Sequence, residues 1–420
     1  MSDFLPQELV THILTRVPAK SLMRFRCVSK SWKSLISSPH FVSMHTHEAF
    51  LSKPPTPAPR FLLRHYCKGQ KVEIYSLHQN NETFDVEEEE IKISFPFRGL
   101  ARFYFRIVGY CNGLLCLSDD LFGYSNLLML WNPVIRRKLI LPLPRAIFDN
   151  LGPYMFMLGF GYDAKNNDFK VVRVAYVQGD YEYNVPPIVE IFCLSTGNWK
   201  EISTNLPHNL VIEQFWAQAF VQGKVHWVAY KRSVGRISER ENLIMAFDIA
   251  HEVFEDILLP KPLINESPIN ISAGVYEEKL AVFQYDKRFK TKICSIWVME
   301  EYGVRKSWKK LFNIDVDGLG IIFGFKKECD IMLTLSNGEI VSYDPRTKET
   351  RNVGISGTKY SAFADAYTES LALLVEGEPV LTGQPNANEE EDDRDDDDVQ
   401  KSEMWMQSIM IQFLTARLEL

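Results

Sequence analysis

The sequence lacks the features that would place it in a membrane or a secretory route. Its 420 residues contain no apolar run of about eighteen residues, the length that a spanning helix needs. The first residues form a polar helical pattern, without the charged and apolar regions of a signal peptide. We therefore expect a protein of the cytoplasm, the nucleus or both, with no membrane partner.

Paired metal ligands and a disulfide framework are also missing. The seven cysteines are odd in number and scattered, and most lie in apolar runs, which predicts free, buried thiols in a reducing compartment. Cys111 and Cys116 have no second pair to complete a zinc site. His45 and His47 are predicted to be surface polar residues rather than ligands. The sequence implies no metal and no other cofactor.

Basic surface is scarce as well. The net charge of −7 is concentrated in residues 389–398, where nine acidic residues and one arginine give −8. The rest of the chain therefore carries only +1, which offers no basic face for nucleic acid. The chain has no P-loop, and after Gly159 and Gly161 a hairpin pattern stands where a phosphate loop needs a helix.

What the sequence does contain, at its N-terminus, is a dense helical pattern. Apolar residues recur at every fourth position in the first segment, which predicts an amphipathic helix ended by Pro18. Two further short helices are predicted, and Pro39 ends the last of them. A unit of about forty residues rarely buries so much apolar surface by itself, so it needs a partner or a neighbouring domain.

Residues 3–44 closely resemble the F-box. They match its pattern L-P-x-E-L, I-L, V-P-x-K-S-L-x-R-F-x-x-V-S-K-x-W-x-x-L-I almost position by position. The resemblance implies binding to the Skp-type adaptor of an SCF ubiquitin ligase and, through it, to a cullin. The alternative is an ordinary helical cap on a larger domain. The residues that the resemblance assigns to adaptor contact are Leu5, Pro6, Leu9, Ile13, Leu14, Val17, Pro18, Leu22, Val28 and Trp32.

Beyond a proline-rich segment, the pattern changes to short, aromatic-rich strands separated by turn residues. Asn112-Gly113 and Gln222-Gly223 are typical of tight hairpin turns. A second type of strand pair recurs about every fifty residues, a spacing in the kelch range for propeller blades. Its matching turn positions are Asn132, Ser195, Asp248, Glu300 and Asp344.

Two half-blades at the ends of this region complete the pattern. Residues 71–79 lack a first strand pair, and residues 361–375 lack a second. Together they predict one blade shared by both ends of the chain, which gives six blades and leaves no open sheet edge. Because such a ring closes on itself, we expect the N-terminal helices to turn their apolar face to a partner rather than to the ring.

The same segments resemble the plant F-box-associated domain, also called F-box/kelch-like, over about residues 60–376. Relatives of this kind include S-locus F-box proteins and immune-regulating F-box/kelch proteins. The matching residues lie at 109–116, 130–136, 159–172 and 189–200. Tryptophans at strand positions are predicted to fill the blade cores; they are Trp131, Trp199, Trp227, Trp297 and Trp308.

The predicted fold is a small three-helix F-box followed by an all-β propeller of about six kelch-like blades. The boundaries are 1–48 for the F-box, 49–60 for the linker, 61–376 for the propeller and 377–400 for an acidic disordered tail. Residues 401–420 have helical apolar spacing and form either a partner-docking helix or an accessory extension.

These patterns favour a non-catalytic substrate receptor of an SCF ubiquitin ligase, whose propeller binds a protein target that the sequence does not identify. Two alternatives are a propeller enzyme with an N-terminal interaction module and an F-box scaffold that acts outside ubiquitination. A metal or acid constellation at the central channel would favour the enzyme.

Overall fold

The structure of the protein is a computed structural model. The described residues are 6–51, 60–67, 72–79, 91–92, 105–119, 127–147, 154–177, 186–204, 206–207, 209–232, 240–286, 293–326, 330–358 and 361–374. The predicted acidic tail and the apolar segment after it lie outside these ranges, as do most of the predicted linker and Leu5.

Four short helices form the N-terminal unit, one more than the sequence analysis predicts. Ser29 caps the third helix, because its side chain accepts a hydrogen bond from the Trp32 backbone N–H at 3.1 Å. Pro39 ends that helix as expected. It also starts a fourth one, since the first turn of a helix tolerates a missing N–H. The helices are α1 (Gln7–Leu14), α2 (Ala19–Phe25), α3 (Lys30–Ser37) and α4 (Pro39–Leu51).

Six antiparallel sheets follow, which confirms the six-bladed propeller. In each blade the chain runs from an inner strand outward, and inner strands of neighbouring blades contact one another. Blade 1 contains β4 (Arg106–Cys111), β5 (Leu114–Ser118), β6 (Leu128–Asn132) and β7 (Arg137–Ile140). Blade 2 contains β8 (Tyr154–Asp163), β9 (Asp168–Val177), β10 (Ile188–Cys193) and β11 (Asn198–Ile202). Blade 3 contains β12 (Leu210–Ile212), β13 (Ala219–Val221), β14 (Lys224–Arg232), β15 (Arg240–Asp248) and β16 (Val253–Leu258).

The remaining blades follow the same order, with a one-turn helix, α5 (Lys261–Ile264), before the fourth. Blade 4 contains β17 (Ile271–Tyr276), β18 (Lys279–Asp286), β19 (Ile293–Met299) and β20 (Trp308–Asp315). Blade 5 contains β21 (Leu319–Phe325), β22 (Ile331–Leu335), β23 (Glu339–Asp344) and β24 (Glu349–Ser356). Blade 6 contains β25 (Phe363–Tyr367), then β1 (Arg60–Cys67), β2 (Val72–Gln79) and β3 (Ile91–Lys92).

Blade 6 is the shared blade that the two half-patterns predict. Its inner strand β25 pairs antiparallel with β1, with Arg60 opposite Tyr367 and Arg64 opposite Phe363. The ring therefore closes by hydrogen bonds between the two ends of the propeller region, and β1 is paired on both of its sides.

Turn chemistry fixes the strand pairs. Asn112 and Gly113 form the two-residue turn between β4 and β5, with φ of 45° and 82°. Positive φ at both positions is the geometry of the tight hairpin that this pair of residues favours. The five predicted turn positions all lie where the third strand of a blade ends. By topology, these turns lie at the same end of the ring as Asn112-Gly113.

Large side chains fill the spaces between blades. Trp131, Trp199, Trp227 and Trp308 are buried and Trp297 is half-buried, in agreement with their predicted core role. Gly159 and Gly161 face the side chains of Trp227 and Phe220, where a Cβ atom would clash. The G-x-G pair therefore serves close packing between blades 2 and 3 and precedes a hairpin, as predicted.

Candidate adaptor face and its seat on the propeller

The residues predicted to contact an adaptor fall into an exposed set and a buried set. Leu9, Ile13 and Val28 are large apolar residues that are 51%, 55% and 63% exposed. Pro6 and Pro18 are exposed too. Leu9 and Ile13 are four residues apart on α1, so they share one helix face. We define Leu9, Ile13 and Val28 as the apolar face.

The other predicted contact residues are turned inward. Leu14 and Leu22 are 3% and 0% exposed and pack in the core of the helical unit. Val17 and Trp32 are half-buried at its edge, where Trp32 meets Phe25 edge-on with ring centres 5.7 Å apart. Leu14 and Leu22 therefore belong to the protein's own core, and the surface open to a partner is narrower than the sequence analysis predicts.

Part of that core comes from the propeller. Leu14, Leu22, Ile36 and Phe41 of the helices pack in one cluster with Ile135, Leu371 and Leu374 of the propeller region. Ile135 lies in the turn between β6 and β7, and the two leucines follow β25. The expectation that the helices avoid the ring is wrong, because this end of the propeller offers apolar side chains that cover one helical face.

Polar contacts hold the helices at the same place on the propeller. We call this contact of the helices with Ile135 and with residues 369–374 the seat. Glu369 accepts a hydrogen bond from the Lys20 backbone N–H at 3.2 Å and pairs with the Arg60 guanidinium. Ser43 of α4 meets the side-chain amide of Asn167, which lies in the β8–β9 turn. The helical unit is therefore attached to blades 1, 2 and 6, next to the point where the ring closes.

Asn132 anchors the propeller side of this seat. Its side-chain amide donates hydrogen bonds to the carbonyls of Ser370 and Ala372, both at 2.9 Å, and the residue is fully buried. The sequence analysis assigns Asn132 only to a turn. Its second role was not visible, because the segment it holds lies 238 residues further along the chain.

His45 of α4 lies buried beside the seat, so the prediction that it is a surface residue is wrong. Its Nε2 donates to the Val17 carbonyl at 3.0 Å, and its ring stacks on Phe41. Its Nδ1 has no hydrogen-bond partner among the described residues. Burial lowers the pKa of His45 below the ordinary value of 6.5, while the Val17 carbonyl and the charge of Glu369 act in the opposite direction. His47 is half-buried.

The inner strand of blade 3 is interrupted. Residues 213–218 lie between β12 and β13, which both pair with β14. Gln218 bonds both the N–H and the carbonyl of Phe160 in blade 2, and Trp216 stacks on Tyr285 of blade 4 with ring centres 5.1 Å apart. Trp216 also donates to the Ile269 carbonyl at 3.1 Å, in the segment before β17. This segment therefore contacts both neighbouring blades, and Phe215 within it is 44% exposed.

Charged residues near the seat form ion pairs with one another. Lys170 contacts Asp163 at 2.8 Å and Glu252 at 2.9 Å, and Glu252 also pairs with Lys200. Burial opposes ionisation, but the hydrogen bonds from Lys170 and Asn166 hold the pKa of Asp163 below its ordinary value. These charged groups are therefore paired with one another within the fold.

Metal ligands do not cluster in the described ranges: no group of three or more His, Cys, Asp or Glu side chains lies close enough to hold an ion. In those ranges Cys111, Cys116, Cys193 and Cys294 are buried free thiols, Cys67 is half-buried and Cys27 is exposed. No described helix combines the length and the apolarity needed to cross a bilayer.

Two families match different parts of the chain. The family described as "F-box domain" matches residues 3–44, and the family described as "F-box associated beta propeller domain" matches residues 66–371. These ranges coincide with the helical unit and with the ring of blades.

Relatives with the same arrangement come from Arabidopsis thaliana. The protein named F-box protein CPR1 is 28% identical over 400 residues, covering 89% of this chain and 90% of its own. An F-box/kelch-repeat protein is 29% identical over 321 residues, covering 74% and 79%. Among solved structures, the Dos1 propeller aligns with a TM-score of 0.35 at 13% identity, covering 71% of this chain and 69% of its own. The chain belongs to the family of F-box proteins that carry an F-box-associated β-propeller domain.

Proposed function

We propose that this protein is the substrate-recognition subunit of an SCF ubiquitin ligase, with no catalytic role of its own. The apolar face would bind a Skp-type adaptor, and the propeller would hold a protein target. Ubiquitin would be transferred by other subunits, to which this chain brings the target by proximity. Such a complex would act in the cytoplasm, the nucleus or both.

The observation that carries this proposal is the division of the F-box surface. Part of the surface is fixed to the propeller through the shared apolar core, while Leu9, Ile13 and Val28 stay exposed. Burying these side chains in a partner would contribute about 25 cal/mol for each Å² of apolar surface removed from water. A receptor needs this arrangement, because the adaptor and the target must be held at a fixed relative orientation.

The end of the propeller away from the helices is the proposed target site. Leu143, which follows β7 at that end, is 67% exposed, and Phe215 is exposed in the segment that interrupts the inner strand of blade 3. Phe215 packs edge-on against Trp216, whose position is fixed by Tyr285 and Ile269. A rigid aromatic anchor with an exposed neighbour is typical of the centre of a protein-binding surface.

Adaptor binding tests the proposal directly. The double variant Leu9→Ala, Ile13→Ala should weaken binding of purified adaptor by about thirtyfold or more, as expected for central apolar contacts. Its melting temperature should not change, because both side chains are exposed in the free protein. Affinity would be measured by calorimetry and melting by circular dichroism.

A matched control removes two exposed apolar side chains from the propeller. Val253 and Leu258 on β16 are 47% and 40% exposed, so Val253→Ala, Leu258→Ala deletes comparable surface far from the helices. It should bind adaptor like the parent protein. Equal affinity of all three proteins would refute the apolar face as the adaptor site, and a parent protein that binds no adaptor would refute the function.

A reconstituted ubiquitination assay separates a ligase receptor from an F-box scaffold. The full chain, adaptor and cullin would be combined with a target captured on the Leu9→Ala, Ile13→Ala variant in the presence of proteasome inhibitor. We expect ubiquitin transfer to the target only with the parent chain. Target binding by both proteins without any transfer would indicate a scaffold.

A further inference from the structure

The region where α2 ends and α3 begins carries several positively charged side chains that form no ion pair with another described residue. Residues 6–51 contain six Lys or Arg and two Glu, a net charge of +4, although the whole chain carries −7. Arg24, Lys30 and Lys33 are exposed at the corner and form no ion pair with another described residue. Val28, the most exposed member of the apolar face, lies between them in sequence. We call Arg24, Lys30 and Lys33 the cationic corner.

The opposite charge is carried by the end of the same chain. Residues 389–398 have a net charge of −8, and the apolar residues Trp405, Ile409 and Phe413 follow at every fourth position. This pairing of charged with apolar residues complements the F-box, where Val28 of the apolar face lies in sequence between Arg24 and Lys30 of the cationic corner.

The chain places these acidic residues within reach. The described chain ends at Leu374, which is 1% exposed and packs in the same cluster as Leu14 and Leu22. Fourteen residues then separate Leu374 from Glu389 and span up to about 50 Å when extended, at 3.3–3.6 Å per residue. A domain of this size measures about 30 Å, so the acidic run can reach any part of the helical unit. Attachment through a connection of this length gives an effective concentration on the order of millimolar.

We infer that residues 389–414 bind back onto the F-box of their own chain, with the acidic run on the cationic corner and the apolar stripe over the apolar face. This contact covers the surface proposed for the adaptor, so the C-terminal segment acts as a built-in competitor. The effect on adaptor binding depends on the proposed function, whereas the intramolecular contact does not.

Hydrogen–deuterium exchange of the full chain tests the contact without an adaptor. In the variant Asp395→Asn, Asp396→Asn, Asp397→Asn, Asp398→Asn, amides of residues 20–34 should exchange severalfold faster than in the parent at low salt. The difference should disappear near 0.5 M salt, where the screening length is only a few Å. The matched control Glu241→Gln, Glu301→Gln, Asp317→Asn, Glu349→Gln changes the net charge equally on exposed propeller positions and should exchange like the parent.

The outcomes are distinct. Equal exchange in parent and tail variant would overturn the inference, and so would protection that grows with protein concentration, because it would come from a second copy of the chain. Where adaptor binds, the tail variant should bind about tenfold more tightly at low salt, and an unchanged affinity would overturn the competition. If neither protein binds adaptor but the exchange difference persists, the proposed function fails and the contact stands.

Discussion

The F-box and the propeller cover their apolar surfaces in different ways. The propeller is complete in itself, because each blade packs on its neighbours and the pairing of β25 with β1 closes the ring. The four helices do not complete their own core and take in Ile135, Leu371 and Leu374 from the propeller. A small helical unit can thus be folded and still display Leu9, Ile13 and Val28, since only one of its sides is covered.

This difference makes the helices depend on the ring, while the ring does not need the helices. The dependence is concentrated in residues 368–374, which follow the closing strand and carry both apolar and polar contacts to the seat. Breaking the closure should therefore damage both regions, breaking the seat should loosen mainly the helices, and a change within the helices should be smaller still.

Removing the closing strand should have the largest effect. A chain ending at residue 358 lacks β25 and everything that follows it, so β1 gains an open edge and the helices lose Leu371 and Leu374. We expect loss of a cooperative thermal transition and aggregation, measured by circular dichroism and size-exclusion chromatography. A chain ending at residue 376 keeps all described residues and should melt like the parent. A cooperative transition at the parent temperature for the shorter chain would contradict the role of closure.

The ring was predictable from sequence because its signals are local and repeated. The pair Asn112-Gly113 predicts a hairpin by itself. The matching turn positions of the blades recur at similar spacing; they are Asn132, Ser195, Asp248, Glu300 and Asp344. Closure followed from counting half-blades, since an unpaired strand at each end needs a partner.

Disrupting the seat should have an intermediate effect. Asn132→Ala removes both hydrogen bonds to the carbonyls of Ser370 and Ala372 and leaves these buried acceptors without that donor. At about 1–3 kcal/mol for each buried group left unsatisfied, we expect a loss of about 3 kcal/mol in the free energy of unfolding. Urea denaturation measures the loss, and hydrogen exchange should show faster opening of the helices than of blades 3 to 5.

The control for this variant is Asn352→Ala in the outer strand of blade 5. Among the described residues, the Asn352 side chain accepts only from the Gly354 N–H, at 2.7 Å and in an exposed position, so its loss should cost about 0.5 kcal/mol or less. Equal destabilisation by the two variants would mean that Asn132 is an ordinary turn residue and that the seat is held by apolar packing alone.

The seat itself could not be predicted, because its contacts join residues far apart in sequence. Leu14 and Leu22 carry the F-box pattern, but the pattern does not tell which apolar residues face a partner and which face the propeller. Pro39 was interpreted only as a helix end, although the same residue suits a first helical turn. The predicted exposure of His45 is wrong for the same reason, because its burial depends on the helix that begins at this proline.

The smallest predicted effect is a change in how the free energy of unfolding depends on pH, and it concerns His45 on the helical side of the seat. Burial lowers the pKa of His45 below 6.5, so the folded state favours the neutral ring, whose Nε2 already donates to the Val17 carbonyl. Its contribution to stability is therefore fully present above pH 6.5 and is lost as the pH falls toward the lowered pKa of the folded state. At pH 5.5, one unit below the ordinary value, the loss cannot exceed about 1.4 kcal/mol.

His45→Gln keeps a donor for the Val17 carbonyl but does not titrate, so the difference in unfolding free energy between pH 7 and pH 5.5 should be smaller than in the parent. His226, buried in blade 3 with its pKa lowered by burial to about 4, is present in both proteins, so its contribution cancels in the comparison. If the free energies of unfolding of parent and variant change with pH in parallel, protonation of the His45 ring does not disturb the seat, and the prediction fails.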